Sequence, residues 1–229
     1  MLRGVNAAPV PSEPPATPAP ASGLRLLHLD HQLVLADKPA GQLCVPGRGP
    51  ERADCLSARL QAEVTDALVV HRLDMATSGL VLFGRGAAMQ RRLSMLFEQR
   101  RVDKRYQAVV AGLVHADSGE IELPLMADWA HRPRQQVERQ LGKPALTRWQ
   151  LISRDEAAGT SRLWLEPQTG RTHQLRVHLA AIGHAILGDA LYAPPPWAAV
   201  SPRLLLHACA LAWDDALTGP RHFECAPPF

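Results

Sequence analysis

One carboxylate in this chain stands apart by its setting. Asp74 lies in Val69-Val70-His71-Arg72-Leu73-Asp74-Met75-Ala76-Thr77-Ser78-Gly79-Leu80-Val81-Leu82. A short apolar run ends, polar residues follow, and a second apolar run begins. That pattern predicts strand, tight loop, strand, which places the acid rigidly yet within reach of a ligand. An aspartate so placed can act as nucleophile, as base, or as electrostatic partner of a developing cation, all useful at a glycosidic carbon. Arg72, two residues away, favours the ionised form. The same pair also reads as a salt bridge that merely fixes the loop.

Three further groups have residue types suited to chemistry or binding. Arg171, Thr172, His173 and Arg176 cluster at the start of a predicted helix, where free backbone N–H groups favour anions. Trp129, Arg132 and Arg134 stand in the polar loop Asp128-Trp129-Ala130-His131-Arg132-Pro133-Arg134-Gln135-Gln136. Cations interleaved with an aromatic ring suit looped RNA, because phosphates need positive charge and unstacked bases need a flat partner. A surface hairpin whose Trp caps the core has the same composition. Tyr106, one of two tyrosines, follows Lys104 and Arg105 in a predicted strand. It can serve a ligand or pack at a sheet edge.

Several familiar sites are absent from the sequence. It has no Gly-x-x-x-x-Gly-Lys-Ser/Thr loop, no Gly-x-Gly-x-x-Gly and no Gly-x-Ser-x-Gly. The ten histidines include no His-Glu-x-x-His, and the four cysteines have no zinc spacing. No metal and no organic cofactor are expected. The cysteines read as reduced thiols of a cytoplasmic protein.

The elements that must hold these groups follow from periodicity. Residues 1–23 contain six prolines among Ala, Ser and Thr and are expected to form a disordered tail. Residues 24–30 and 32–38 read as paired strands, broken by Lys38-Pro39-Ala40-Gly41. Asp54 is a plausible N-cap for a short helix carrying Leu56, Leu60 and Val64. Residues 86–100 read as a helix with Met89, Leu93, Leu96 and Phe97 on one face. Strands are expected at 103–112, 119–123, 146–152, 162–166, 203–213 and 221–225. A helix is expected over 171–182 with Leu175, His178, Leu179 and Ile182 inward. Strands outnumber helices without regular alternation, which favours an α+β domain on a mostly antiparallel sheet.

Composition is ordinary for a globular chain, with 46% hydrophobic and 21% charged residues. No run of 18 apolar residues and no signal-like apolar start are present. Net charge is +3, and only three of the 25 basic residues are lysines. Arginine forks suit phosphate, although a GC-rich genome gives the same bias.

His71-Arg72-Leu73-Asp74 with Thr77-Ser78-Gly79 resembles the signature loop of the RluA-type pseudouridine synthases. The resemblance spans roughly residues 24–229. Lys38-Pro39-Ala40-Gly41, Lys104-Arg105-Tyr106, Thr169-Gly170-Arg171-Thr172-His173-Gln174-Leu175-Arg176-Val177-His178, Gly183-His184 with Gly188-Asp189, and Leu206-His207-Ala208 follow in family order. It implies a pseudouridine synthase catalytic domain over 24–229, with a mixed, mostly antiparallel sheet, flanking helices and a central RNA cleft. It implies an enzyme that isomerises uridine in RNA without a cofactor. By that resemblance Asp74 is the catalytic carboxylate, and Tyr106 stacks on the target base and helps remove the C5 proton. Arg176 forms a salt bridge to Asp74, and Arg72 fills the space left by the flipped nucleotide. Arg171, Arg132, Arg134, Trp129 and His173 contact RNA.

The 128–135 loop resembles the dual-specificity branch, whose targets are 23S rRNA and the tRNA anticodon stem-loop. Ala185 stands where the family usually has proline, Asp37 where asparagine is common, and much of the 128–144 loop differs. The expectation is a monomeric, membrane-free, cytoplasmic RNA enzyme. A catalytically silent RNA-binding or RNA-remodelling protein on the same fold, a pseudouridine synthase acting on a different rRNA site, and a nucleoside glycosidase are the competing readings.

Overall fold

The computed structural model describes residues 23–229. The expected tail over 1–23 therefore lies outside the described residues, Gly23 excepted. In chain order the elements are β1 (Arg25–Leu29), β2 (Leu33–Lys38), α1 (Leu56–Glu63), β3 (Ala67–Val69), β4 (Ser78–Arg85), α2 (Gly86–Glu98), β5 (Val102–Ala111), β6 (Ser118–Glu122), β7 (Leu125–Ala127), β8 (Gln135–Val137), β9 (Leu146–Asp155), β10 (Thr160–Pro167), α3 (Gln174–Ala181), β11 (Leu206–Trp213) and β12 (Arg221–Glu224). A ten-stranded sheet runs β1-β2-β4-β11-β5-β10-β9-β6, with β12 paired to β11 and β3 to β4; β7 and β8 form a separate hairpin. The α+β, mostly antiparallel expectation is met.

The alternation of side chains along a strand divides the core. Leu33 and Leu35 of β2 and Leu80 and Leu82 of β4 pack with Leu93 and Leu96 of α2. The intervening Val34, Ala36, Val81 and Phe83 pack with Leu56 and Leu60 of α1. β4 is thus covered on both faces, which explains its continuous apolar run. Each fully buried leucine contributes roughly 1.5–3 kcal/mol by area. On the other half of the sheet, Leu175 and Leu179 of α3 meet Ala108, Val110, Leu163 and Leu165.

β4 and β11 are the parallel pair, joined through Ser78 with His207 and Gly79 with Ala208. Gly79 has φ +110°, and a Cβ there would lie 2.3 Å from the Ala208 carbonyl oxygen. Only glycine lets the end of the Asp74 loop run this close to β11.

Three local expectations need correction. The N-cap of α1 is Cys55, whose sulfur accepts from the Ala58 N–H, while Asp54 instead binds Arg59 at 2.6 Å. α3 starts at Gln174 rather than at 171, because His173 adopts a left-handed φ of 53° that ends helical geometry there. The Gln174 side chain closes the preceding turn: its Oε1 accepts from the Arg171 N–H at 3.0 Å and the Thr169 hydroxyl at 2.7 Å. The Arg171 N–H is therefore already satisfied and not free for an anion. Ile182, expected inward, is the half-exposed C-cap of α3.

Candidate active site

A cleft of about 720 Å³ opens where the Asp74 loop, the start of β11, Tyr106 of β5 and the turn before α3 meet. Its lining includes Asp74, Tyr106, Arg176, Arg72, Arg171 and His173. Five cations (Arg72, Arg100, Lys104, Arg171, Arg176) face two carboxylates, Asp74 and Glu98. Such a balance suits a polyanion.

The loop holding Asp74 is tied down from beneath. Lys38 is fully buried, and its Nζ donates to the carbonyls of Pro39, Gln42 and Met75 at 2.9, 2.8 and 3.0 Å. The Gly41 N–H donates to the same Met75 carbonyl at 2.8 Å. Burial pulls the Lys38 ammonium down to about 8, against the attraction of Cys44 and Asp74. On the other side His71 stacks on Phe97, with centroids 4.4 Å apart, and its Nε2 accepts from the Leu82 N–H at 3.0 Å. Burial, with Lys104 nearby, lowers His71 to about 3, so the ring stays neutral and keeps this acceptor. The Asp74 side chain, 29% exposed, is left facing the cleft.

His173 Nε2 lies 3.9 Å from Asp74 Oδ2. Its Nδ1 is 2.7 Å from the Tyr192 hydroxyl, which also accepts from the Gln135 N–H at 2.7 Å. The Tyr192 hydroxyl proton is free to go to Nδ1, an arrangement that puts the ring proton on Nε2, facing Asp74. Burial lowers the His173 pKa against the pull of Asp74. This chain of contacts also ties the β7–β8 hairpin to the cleft.

The expected ion pair of Arg176 with Asp74 is not found. Arg176 grips Asp189 with both prongs, Nε to Oδ2 at 2.8 Å and NH2 to Oδ1 at 2.6 Å. The two side chains are 5% and 0% exposed. A buried carboxylate requires a partner, and the planar fork matches it bidentately. Asp189 also accepts from the N–H groups of Leu191 and Tyr192. Arg176 still lines the cleft, and burial lowers its pKa less than Asp189 and Asp74 raise it.

Tyr106 stands in β5, opposite Leu165 of β10 and Ala208 of β11. Burial raises its phenol well above the usual tyrosine range, and the charge of Asp74 adds to this. It is an un-ionised ring in a central strand, not a tyrosine at a sheet edge.

Trp129, Arg132 and Arg134 do not line the cleft. They belong to the β7–β8 hairpin beside it. The Arg132 guanidinium sits 3.8 Å over the exposed Trp129 ring, and Arg134 lies 5.4 Å from the Tyr192 ring. Arg171 lies in the cleft with its Nε on the Pro144 carbonyl. Residue type and spacing gave no site role to Lys38, His71, Tyr192 or Asp189. Each stands in or beside one of the motifs above, and only the fold reveals what each touches.

Among the described residues no helix is long and apolar enough to cross a membrane. One group of three metal-capable donors does form: Asp37, His207 and Cys225.

A family model described as RNA pseudouridylate synthase matches residues 32–181. The dual-specificity RNA pseudouridine synthase RluA of Pasteurella multocida is 44% identical over 212 residues, covering 93% of this chain and 96% of that protein. The protein of the same name from Escherichia coli K12 is 45% identical over 185 residues, covering 81% and 84%. Among solved structures, Human RNA Pseudouridylate Synthase Domain Containing 1 superposes with a TM-score of 0.78 at 25% identity, over 93% of this chain and 87% of that one. Human RNA Pseudouridylate Synthase Domain Containing 4 shares the fold, with a TM-score of 0.72 at 24% identity over 89% and 88%. By matched segment, identity and architecture, this chain belongs to the RNA pseudouridylate synthase family.

Proposed function

We propose that residues 24–229 form the catalytic domain of an RNA pseudouridine synthase working through Asp74. The observation that carries this reading is the meeting of Asp74, Tyr106, His173 and Arg176 in one cation-lined cleft, on a loop fixed by Lys38 and His71. The uridine must leave its stack to enter, since its reacting atoms are otherwise hidden. Asp74 attacks the ribose or assists loss of a ribose proton as the N1–C1′ bond breaks. The uracil turns, the C5–C1′ bond forms, and the proton lost at C5 is balanced by one taken at N1. No redox change and no cofactor are required.

Tyr106 walls the base and, as an un-ionised phenol, passes the C5 proton by hydrogen bonding rather than acting as a phenolate. Arg176 acts as a fixed cation whose field reaches Asp74 without touching it. His173 positions the Asp74 carboxylate and meets RNA at the rim. Arg72 fills the vacated stack, and Arg171, Arg132, Arg134 and Trp129 hold phosphates and an unstacked base outside the cleft.

The identity with relatives named as dual-specificity RNA pseudouridine synthases supports more than one RNA substrate. The 128–135 loop's resemblance makes 23S rRNA and the tRNA anticodon stem-loop the proposed pair, and a monomer in the cytoplasm the proposed form. The test is tritium release from C5-labelled uridine in both RNAs, with mapping of pseudouridine in total RNA with and without the gene. Release from both, with the matching sites lost in the deletion, is expected. RNA binding without release would identify a silent binder, and free uracil a glycosidase.

A further inference from the structure

A second polar cluster lies outside the cleft lining, where β2, β11 and the segment after β12 come together. Asp37 is the penultimate residue of β2, His207 the second residue of β11, and Cys225 follows β12. Their ligand atoms lie within 4.8 Å of one another. His207 is 1% exposed and Cys225 6%. The Asp37 side chain is 14% exposed.

His207 carries the decisive feature. Its Nδ1 is bound to the Ser78 hydroxyl at 2.7 Å, which fixes the ring. Its Nε2 is buried and makes no hydrogen bond of good geometry, although the Cys225 backbone carbonyl lies close enough to the ring to favour its protonation. A buried ring nitrogen left without a good partner is destabilising unless something occupies it. A ligating histidine has this arrangement, with one nitrogen held by a neighbour and the other presented to the metal.

We propose that Asp37, His207 and Cys225 bind a divalent transition metal, zinc first, through one oxygen, one nitrogen and one sulfur. The donor set is right for zinc, and the fourth tetrahedral position is left for water. Zinc bonds of about 2.0–2.3 Å give donor–donor edges of roughly 3.3–3.8 Å. The trio therefore needs to close by little more than ~1 Å, the scale of a side-chain adjustment. Carboxylate and thiolate together neutralise the ion. Without an ion, burial and a bond from the Cys225 thiol to the Asp37 carboxylate hold the thiol proton in place; metal binding replaces that bond and releases the proton to solvent.

Two cations stand near. Arg25 binds Asp37 at 2.9 Å, but its side chain is 69% exposed and can stay on the second carboxylate oxygen or turn to water. Arg203 is taken by the Ser78 hydroxyl. The absence of close-spaced ligands in the sequence led to the expectation of no metal. These donors are far apart in the chain and are brought together only by the β2–β4–β11–β12 pairing. The site adjoins the machinery that holds Asp74, since Lys38 follows Asp37 and Ser78 ends the Asp74 loop. A bound ion would brace the chain's last strand against that support.

The full chain, stripped by chelator and dialysed with zinc and then metal-free buffer, should retain one zinc per chain by mass spectrometry. Cobalt should give the near-ultraviolet thiolate charge-transfer band of a tetrahedral site. His207→Gln and Cys225→Ser should each lose the ion and the band, while Cys209→Ala keeps both. Zinc should raise the melting temperature of the wild type and leave those two variants unmoved. Absence of retained zinc in the wild type, or a cobalt band surviving in Cys225→Ser, overturns the proposal. If a variant fails to fold, wild-type stoichiometry and spectrum decide alone. None of these readouts depends on RNA or on turnover.

Discussion

The Arg176–Asp189 pair gives the sharpest energetic prediction. Both groups are removed from water, and two bonds of 2.6 and 2.8 Å join them. Breaking such a pair by changing one partner costs about 3–5 kcal/mol, because a buried charge is left uncompensated. Asp189→Asn keeps an oxygen for the Leu191 and Tyr192 N–H groups, so its loss belongs at the lower end, about 3 kcal/mol. With an m-value of about 2–3 kcal/mol/M, the urea midpoint should fall by about 1–1.5 M. Arg176→Met should cost a similar amount by stranding the carboxylate. The double variant should recover most of the loss, giving a coupling energy of about 2–3 kcal/mol in the cycle. It should not recover isomerisation, since the guanidinium field at Asp74 is gone. Tryptophan fluorescence in urea measures the first quantity and tritium release the second. A single-variant loss below about 1 kcal/mol, or additive losses, would refute the claim that this pair is a desolvated, mutually dependent unit.

Tyr106→Phe should leave RNA affinity unchanged and lower kcat by about 10²-fold, whereas Tyr106→Leu should also weaken binding by about 1–3 kcal/mol; filter binding and single-turnover rates separate ring from hydroxyl. His71, His173 and His178 are held below the ordinary histidine range mainly by burial. The unfolded chain therefore takes up protons that the fold refuses. Stability should fall as pH drops from about 6.5, by up to about 1.4 kcal/mol per unit for each ring, with the His71 contribution continuing to about 3. Urea titrations at pH 7, 6 and 5 check this, and a flat profile contradicts it. Arg132→Ala and Arg134→Ala should weaken RNA binding and each lower the salt slope by about 0.7–0.9 for every phosphate no longer neutralised, with single-turnover chemistry at saturating RNA unchanged.

What the sequence made legible was local. The Asp74 loop was readable because two apolar runs flank it, and α2 because Met89, Leu93, Leu96 and Phe97 share a face. The surplus of strands was enough for the fold class. Long-range partnerships were not readable. Nothing near Gly79 announces that it abuts Ala208, or that β4 pairs in parallel with a strand that begins only at Leu206. The choice of Asp189 over Asp74 by Arg176 depends on depth of burial, which spacing does not encode. The start of α3 depends on a left-handed His173, a conformation that pattern reading has no means to foresee. Cys55 displaced Asp54 as N-cap because Asp54 found Arg59 instead.

The most direct test of the central claim is Asp74→Asn. The substitution keeps the size of the side chain and removes only its charge and nucleophilicity, on a loop whose anchors, Lys38, Gly41 and His71, are untouched. Tritium release from C5-labelled RNA should fall to background, while the dissociation constant for the same RNA stays within a few-fold of the wild type. Turnover near the wild-type rate in a verified Asp74→Asn protein would contradict the account.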